Sequence, residues 1–172
     1  MKLTLSILLP LVSAADIYFY PPSSGITQGD CATFPAIIHY NAVPNQCYNS
    51  PAGYAGAKLF PVPNVYEMGS MDTFREENCV NRSFNLRALW CAPSLPVRSA
   101  KYLPNPYPSS KRSATARLDE CISAPNAAVY LDENGEKVFV EVPAERADEA
   151  VKAVLEGDAE VLKGFEVHRE LK

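Results

Sequence analysis

Five cysteines carry the most reactive side chains in this 172-residue chain: Cys31, Cys47, Cys79, Cys91 and Cys121. Their spacings contain no CxxC, and neither His39 nor His168 stands near a cysteine at a zinc-ligand interval, so no metal site is expected. In an oxidising compartment thiols pair, and an odd set leaves one over. Other chemistry is thin. The adjacent acids Glu76-Glu77 and Asp119-Glu120 point apart on any regular element, which suits solvation better than acid–base work. No serine sits in GxSxG, and the two histidines fall in different halves, so a nucleophile–histidine site is not expected. There is no phosphate loop, dinucleotide fingerprint or basic stripe. A net charge of −4 and a pI near 5.2 argue against nucleic acid as a partner. The reading is of a non-enzyme with no catalytic residue and no cofactor.

Three short signals concern processing. Residues 1–15, MKLTLSILLPLVSAA, place Lys2 before an apolar run from Leu3 to Val12 and then small residues, the order of a secretory signal peptide cut after Ala14 or Ala15. The run is too short to cross a bilayer, which takes roughly 20 residues, so a secreted, extracellular protein with no membrane attachment after signal removal is expected. Lys111-Arg112 is a dibasic pair of the kind cut by kexin-type proteases, and Asn81-Arg82-Ser83 is an N-glycosylation sequon.

Those residues need elements to hold them, and composition divides the chain. Residues 16–112 hold twelve prolines and eight of the nine tyrosines, with eight basic against six acidic residues; residues 113–172 hold seven basic against fourteen acidic. Such asymmetry marks a boundary. The predicted organisation is a β-domain over 16–107, a linker over 108–116 containing Lys111-Arg112, and an acidic α+β segment over 117–172.

The first half repeats itself. DIYFYPPSSGITQGDC (16–31) aligns with NVYEMGSMDTFREENC (64–79), Cys47 then matches Cys91, and AGAKLFPVP (55–63) matches RSAKYLPNP (98–106). A unit of about 45 residues occurring twice implies two copies of one supersecondary structure sharing a core, because one alone buries too little apolar surface. Short apolar runs separated by Pro, Gly, Asn and Ser predict strands joined by turns. FNLRALW (84–90) fits either a strand or a helical turn or two. Expected interior residues are Ile17, Phe19, Phe34, Ile37, Leu59, Val65, Phe84, Leu86, Trp90 and Leu103, with some tyrosines. Repeat symmetry favours Cys31–Cys47 with Cys79–Cys91, or two crosses between the units, leaving Cys121 unpaired or available to link two chains.

The aromatic starts FYPPSSGITQG and VYEMGSMDTF, with the closures AGAKLFPVP and RSAKYLPNP, make residues 17–107 resemble the βγ-crystallin-like Greek-key family found among small secreted fungal proteins. The resemblance implies two Greek-key motifs forming a β-sandwich. It does not carry over calcium, since the positions before each closure read PAGYAGA and LPVRSA.

In the acidic segment, AAVYLDENGEKVFVEV (127–142) alternates around Asn134-Gly135, a hairpin signal. PAERADEAVKAVLEG (143–157) predicts a helix with Ala147, Ala150, Val151, Val154 and Leu155 on one face, stopped at Gly157. GFEVHREL (164–171) predicts a last strand, completing β-β-α-β. Such a segment fits a layer packed on the first half, a removable folding aid or a separate module.

The functional expectation is an effector or toxin-like binder of an extracellular protein or glycan, for which Tyr40, Tyr48, Tyr54 and Tyr107 are natural contact residues unless they serve in strand-edge packing. The alternatives are a degradative enzyme precursor whose acidic propeptide leaves at Lys111-Arg112, with His39 as the first half's one histidine, or a cell-wall protein joined as a homodimer through Cys121.

Overall fold

A computed structural model describes residues 15–22, 31, 34–51, 54–61, 69–92, 97–104 and 121–167. Among these residues nine strands form two antiparallel sheets: β1 Ala15–Tyr20, β2 Ala36–Ala42, β3 Cys47–Asn49, β4 Gly56–Pro61, β5 Ser70–Phe74, β6 Arg82–Arg87, β7 Ser99–Leu103, β8 Ala127–Leu131 and β9 Lys137–Glu141. The first sheet runs β4-β1-β2-β8-β9 and the second β3-β7-β5-β6. The chain is therefore mainly β, as its punctuated apolar runs predict. FNLRALW resolves into the end of β6 and a turn, because only Phe84 to Arg87 pair with β5.

β1 shows why such short runs suffice. All six of its residues are buried, and period-2 alternation sends Ile17 and Phe19 to one face and Tyr18 and Tyr20 to the other. Ile17 and Phe19 join Ile37, Leu59, Met71, Ala100 and Tyr102 in a core shared by both sheets. Tyr18 and Tyr20 join Ala36, Ile38, Ala127 and Val129 in a second cluster on the opposite face. Burying a large apolar side chain is worth about 1.5–3 kcal/mol, so this inner strand of the first sheet is fixed from both sides.

Trp90 is a correction to the expected interior: it is 64% exposed, on the turn after β6. The turn needs Leu89 in left-handed backbone, φ 69°, and this carries the indole outward while Leu89 N–H donates to the Leu59 carbonyl at 2.8 Å. Phe34, Phe84, Leu86 and Leu103 are half-buried. Val65 lies outside the described residues. Ile38, Met71, Tyr20 and Tyr54 occupy the core instead.

The acidic segment packs on the first half. β8 adds to β2 with Ala36 opposite Val129, Ile37 opposite Ala128 and Ile38 opposite Ala127. The hairpin turns where the sequence predicts, with Gly135 at φ 77° and the Asp132 carboxylate accepting from the Asn134 and Glu136 N–H groups, both at 2.8 Å. A 3-10 turn at Ala144–Arg146 leads into α1, Ala147–Glu156, and Gly157 ends it in left-handed backbone. Its buried residues are Ala147, Ala150, Ala153 and Val154, whereas Leu155 of the expected face is exposed. A second helix the sequence did not suggest, α2 Ala159–Lys163, is capped by Asp158. The predicted last strand is reduced, within the described residues, to one bridge from Val167 to Val140.

Candidate functional site: a cleft beside three sulfurs

Two bridges form, and they are the crosses: Cys31–Cys91 and Cys47–Cys79, with Cα–Cα distances of 5.6 and 6.0 Å. Strand placement explains the choice. β3 leaves its chain neighbours β2 and β4 and pairs with β7, Cys47 opposite Lys101. Cys91 reaches the other way and bridges to Lys58 of β4. Each of these cysteines thus lies on the sheet opposite to its own sequence neighbours, within reach of a cysteine from the other of the two aligned stretches.

Cys121 is the free thiol. Residues 121–123 run parallel to β3 with Ile122 beside Tyr48; Ile122 N–H donates to the Cys47 carbonyl at 3.0 Å and Asn49 N–H to the Ile122 carbonyl at 2.9 Å. That register sets Cys121 beside Cys47. The sulfurs of Cys47, Cys79 and Cys121 all lie within 4.8 Å of one another. Cys47 is buried, while Cys79 and Cys121 are half-buried. Burial pushes the Cys121 thiol up from its ordinary value, with Lys101 opposing.

The other partner of the bridge sits on a tight turn. Asn78, Cys79 and Asn81 all take left-handed backbone, at φ 60°, 56° and 56°, a region costly for residues with a Cβ. Asn49 holds this turn: its Oδ1 accepts from Asn78 N–H at 2.8 Å, and its Nδ2 reaches Asn78 Oδ1 at 3.3 Å and Ser123 Oγ at 3.2 Å. Ser99 Oγ adds to it, accepting from Cys79 N–H at 3.0 Å and donating to the Glu76 carbonyl at 2.6 Å. Asn81 of the sequon is exposed, with its side-chain amide donating to the Glu76 carboxylate.

Beside these segments a cleft of about 370 Å³ opens between β3 and α1, lined by Asn49, Ser123, Glu77, Glu145, Asp148 and Val151 among others. Its polar groups are an amide, hydroxyls and carboxylates, suited to hydroxyl-rich or cationic groups. His39 is elsewhere. It is 2% exposed in the shared core, its ring 5.8 Å from that of Phe19 and 4.9 Å from that of Tyr48. Its Nε2 has no hydrogen-bond partner. Burial lowers its pKa to about 4, with a hydrogen bond to the Asn49 backbone opposing, so the ring is neutral.

The expected contact tyrosines divide. Tyr48 and Tyr54 are 4% and 1% exposed and belong to the shared core, so packing rather than surface contact is their role. Tyr48 OH accepts from Val43 N–H at 2.6 Å and Tyr54 OH donates to the Val151 carbonyl at 3.4 Å. Tyr40 is half-buried. Tyr107, Lys111, Arg112 and residues 1–14 of the leader lie outside the described residues. The cleft itself escaped sequence reasoning, since Asn49, Ser123 and Asp148 come from segments far apart in the chain.

The chain has no match among known protein families, curated proteins or solved structures. No helix among the described residues is long and apolar enough to cross a membrane.

Proposed function

We propose that this is a secreted, non-enzymatic binding protein, built from two Greek-key-like units of βγ-crystallin type and acting outside the cell as an effector or toxin-like ligand of a protein or glycan. The observation that carries the reading is the pair of crossed bridges. Four cysteines that correspond in the sequence repeat join across its two units in two equivalent ways, Cys31 to Cys91 and Cys47 to Cys79. Such bridges persist where the surroundings are oxidising, in keeping with the leader-like residues 1–15. The closures support the repeat: AKLF lies in β4 and AKYL in β7, and Cys47 opposite Lys101 answers Cys91 opposite Lys58.

The cleft between β3 and α1 supplies the binding surface, on a scaffold whose rigidity suits recognition by its loops and rims. Ala15 already pairs with Pro61 and Ala42 in β1, so cleavage after Ala14 keeps that strand whole. The test is to express the full chain in a secreting eukaryotic host, measure its intact mass, and probe panels of glycans and extracellular proteins with wild type and with Asp148→Lys. A mature chain beginning at Ala15 that binds a panel member, with the binding lost in Asp148→Lys, supports the proposal. Retention inside the cell, or turnover of polysaccharide or peptide substrates, overturns it.

A further inference from the structure

A disulfide with a third sulfur beside it is an exchange site, because disulfides rearrange by attack of a thiolate on one of the bonded sulfurs. Cys121 is placed for this by its register against β3 and by the 4.8 Å that encloses its sulfur with those of Cys47 and Cys79. We propose that Cys121 and the Cys47–Cys79 bridge form an intramolecular thiol–disulfide exchange site, in which Cys121 attacks Cys47 and Cys79 leaves as a reactive surface thiol open to modification.

The step balances within the chain. The Cys121 thiol gives its proton to solvent, the Cys121–Cys47 bond forms, the Cys47–Cys79 bond breaks, and the Cys79 thiolate takes up a proton. Nothing is oxidised or reduced overall.

Direction follows from burial and backbone. Cys47 is 7% exposed, so a thiolate left there would be desolvated, whereas Cys79 lies half-buried in a run of exposed residues. The thiolate that is better solvated leaves more readily. Departure of Cys79 also frees its turn from one of the constraints holding Asn78 and Cys79 in left-handed backbone. Cys121 and Cys47 are already held side by side by the hydrogen bonds flanking Ile122. Burial of the Cys121 thiol keeps it protonated at neutral pH and makes the exchange slow there. Lys101, opposite Cys47 on β7, is the cation that favours its ionisation.

The test is performed on the full chain without reductant. It is held at a series of pH values up to about 8.5, where a cysteine thiol ionises, alkylated with N-ethylmaleimide, quenched in acid and mapped by mass spectrometry. The expected result is label on Cys79 as well as Cys121, with Cys47–Cys121 linked peptides, and an initial rate of Cys79 labelling that rises about tenfold per pH unit below the Cys121 pKa. In Cys121→Ser that label is lost. In Cys79→Ser, oxidised during secretion, Cys47 pairs with Cys121 and no free thiol remains. Label confined to Cys121 at every pH, Cys79 label persisting in Cys121→Ser, or two free thiols in folded Cys79→Ser each overturn the proposal. If Cys79→Ser fails to fold, the wild-type map decides.

Discussion

His39 packs its imidazole against the ring of Tyr48, centroids 4.9 Å apart and planes inclined at 52°, inside a core that both sheets share. The contact crosses from β2 of the first sheet to β3 of the second. It therefore ties a titratable base to the packing between the sheets.

That base makes stability fall in mild acid. Its folded pKa is about 4, against about 6.5 for an unperturbed histidine. Between those values the unfolded chain binds more protons, so stability rises with pH. The contribution is complete above about pH 6.5 and is lost as pH falls toward 4, amounting to about 2 kcal/mol between pH 7 and 5. Urea unfolding at several pH values is expected to show this slope in wild type. In His39→Phe the slope should shrink by about that amount, whatever the variant's absolute stability.

The two bridges contribute about equally once their nesting is considered. Cys47–Cys79 closes a 32-residue separation inside the 60-residue separation of Cys31–Cys91. With the inner bridge intact, the outer one constrains a shorter effective loop than its sequence separation suggests. Cys31→Ala with Cys91→Ala is expected to cost about 3–4 kcal/mol, read as a lower urea midpoint, and to leave Cys47, Cys79 and Cys121 as they are in the peptide map.

Cleavage at Lys111-Arg112 is expected to leave one particle. Neither bridge joins residues 16–112 to residues 113–172, yet β8 is hydrogen-bonded to β2, and Ala127, Ala128 and Val129 are fully buried. In a Cys121→Ser background, kexin-type digestion should give two bands on a denaturing gel and a single peak in size exclusion. Two separated peaks would show that the acidic segment detaches on cutting.

Trp90 should behave as a surface residue. At 64% exposure its emission in the native protein is expected to be red-shifted and readily quenched by acrylamide. Trp90→Ser should change unfolding free energy by no more than about 0.5 kcal/mol, as for surface positions away from special features.

Local patterns were readable in advance where a single segment decides them. Asn134-Gly135 specifies a hairpin because few residues adopt the backbone that turn needs. The helix after Pro143 follows from its apolar spacing and its Gly157 stop. IYFY announces a strand. The side a residue faces was less legible. Trp90 is apolar and aromatic, and only the left-handed backbone at Leu89 turns it outward. Tyr48 and Tyr54 carry hydroxyls that suit a surface, and they are buried because those hydroxyls find Val43 N–H and the Val151 carbonyl. The cleft was invisible for a different reason: Asn49, Ser123 and Asp148 share no local pattern.

The sequence by itself determined that two similar stretches, 16–63 and 64–106, hold two cysteines each, and that a fifth stands outside them. Spacing could not decide which cysteine meets which, because pairing depends on the sheet that each short strand joins. Tertiary structure decided it by sending β3 to β7 and Cys91 to β4, so the bridges cross. It also brought Cys121, 42 residues beyond Cys79 in the chain, to the one bridge beside β3. The physical reason is the parallel register of Ile122 on Tyr48, a hydrogen-bonded contact between segments that no local propensity specifies.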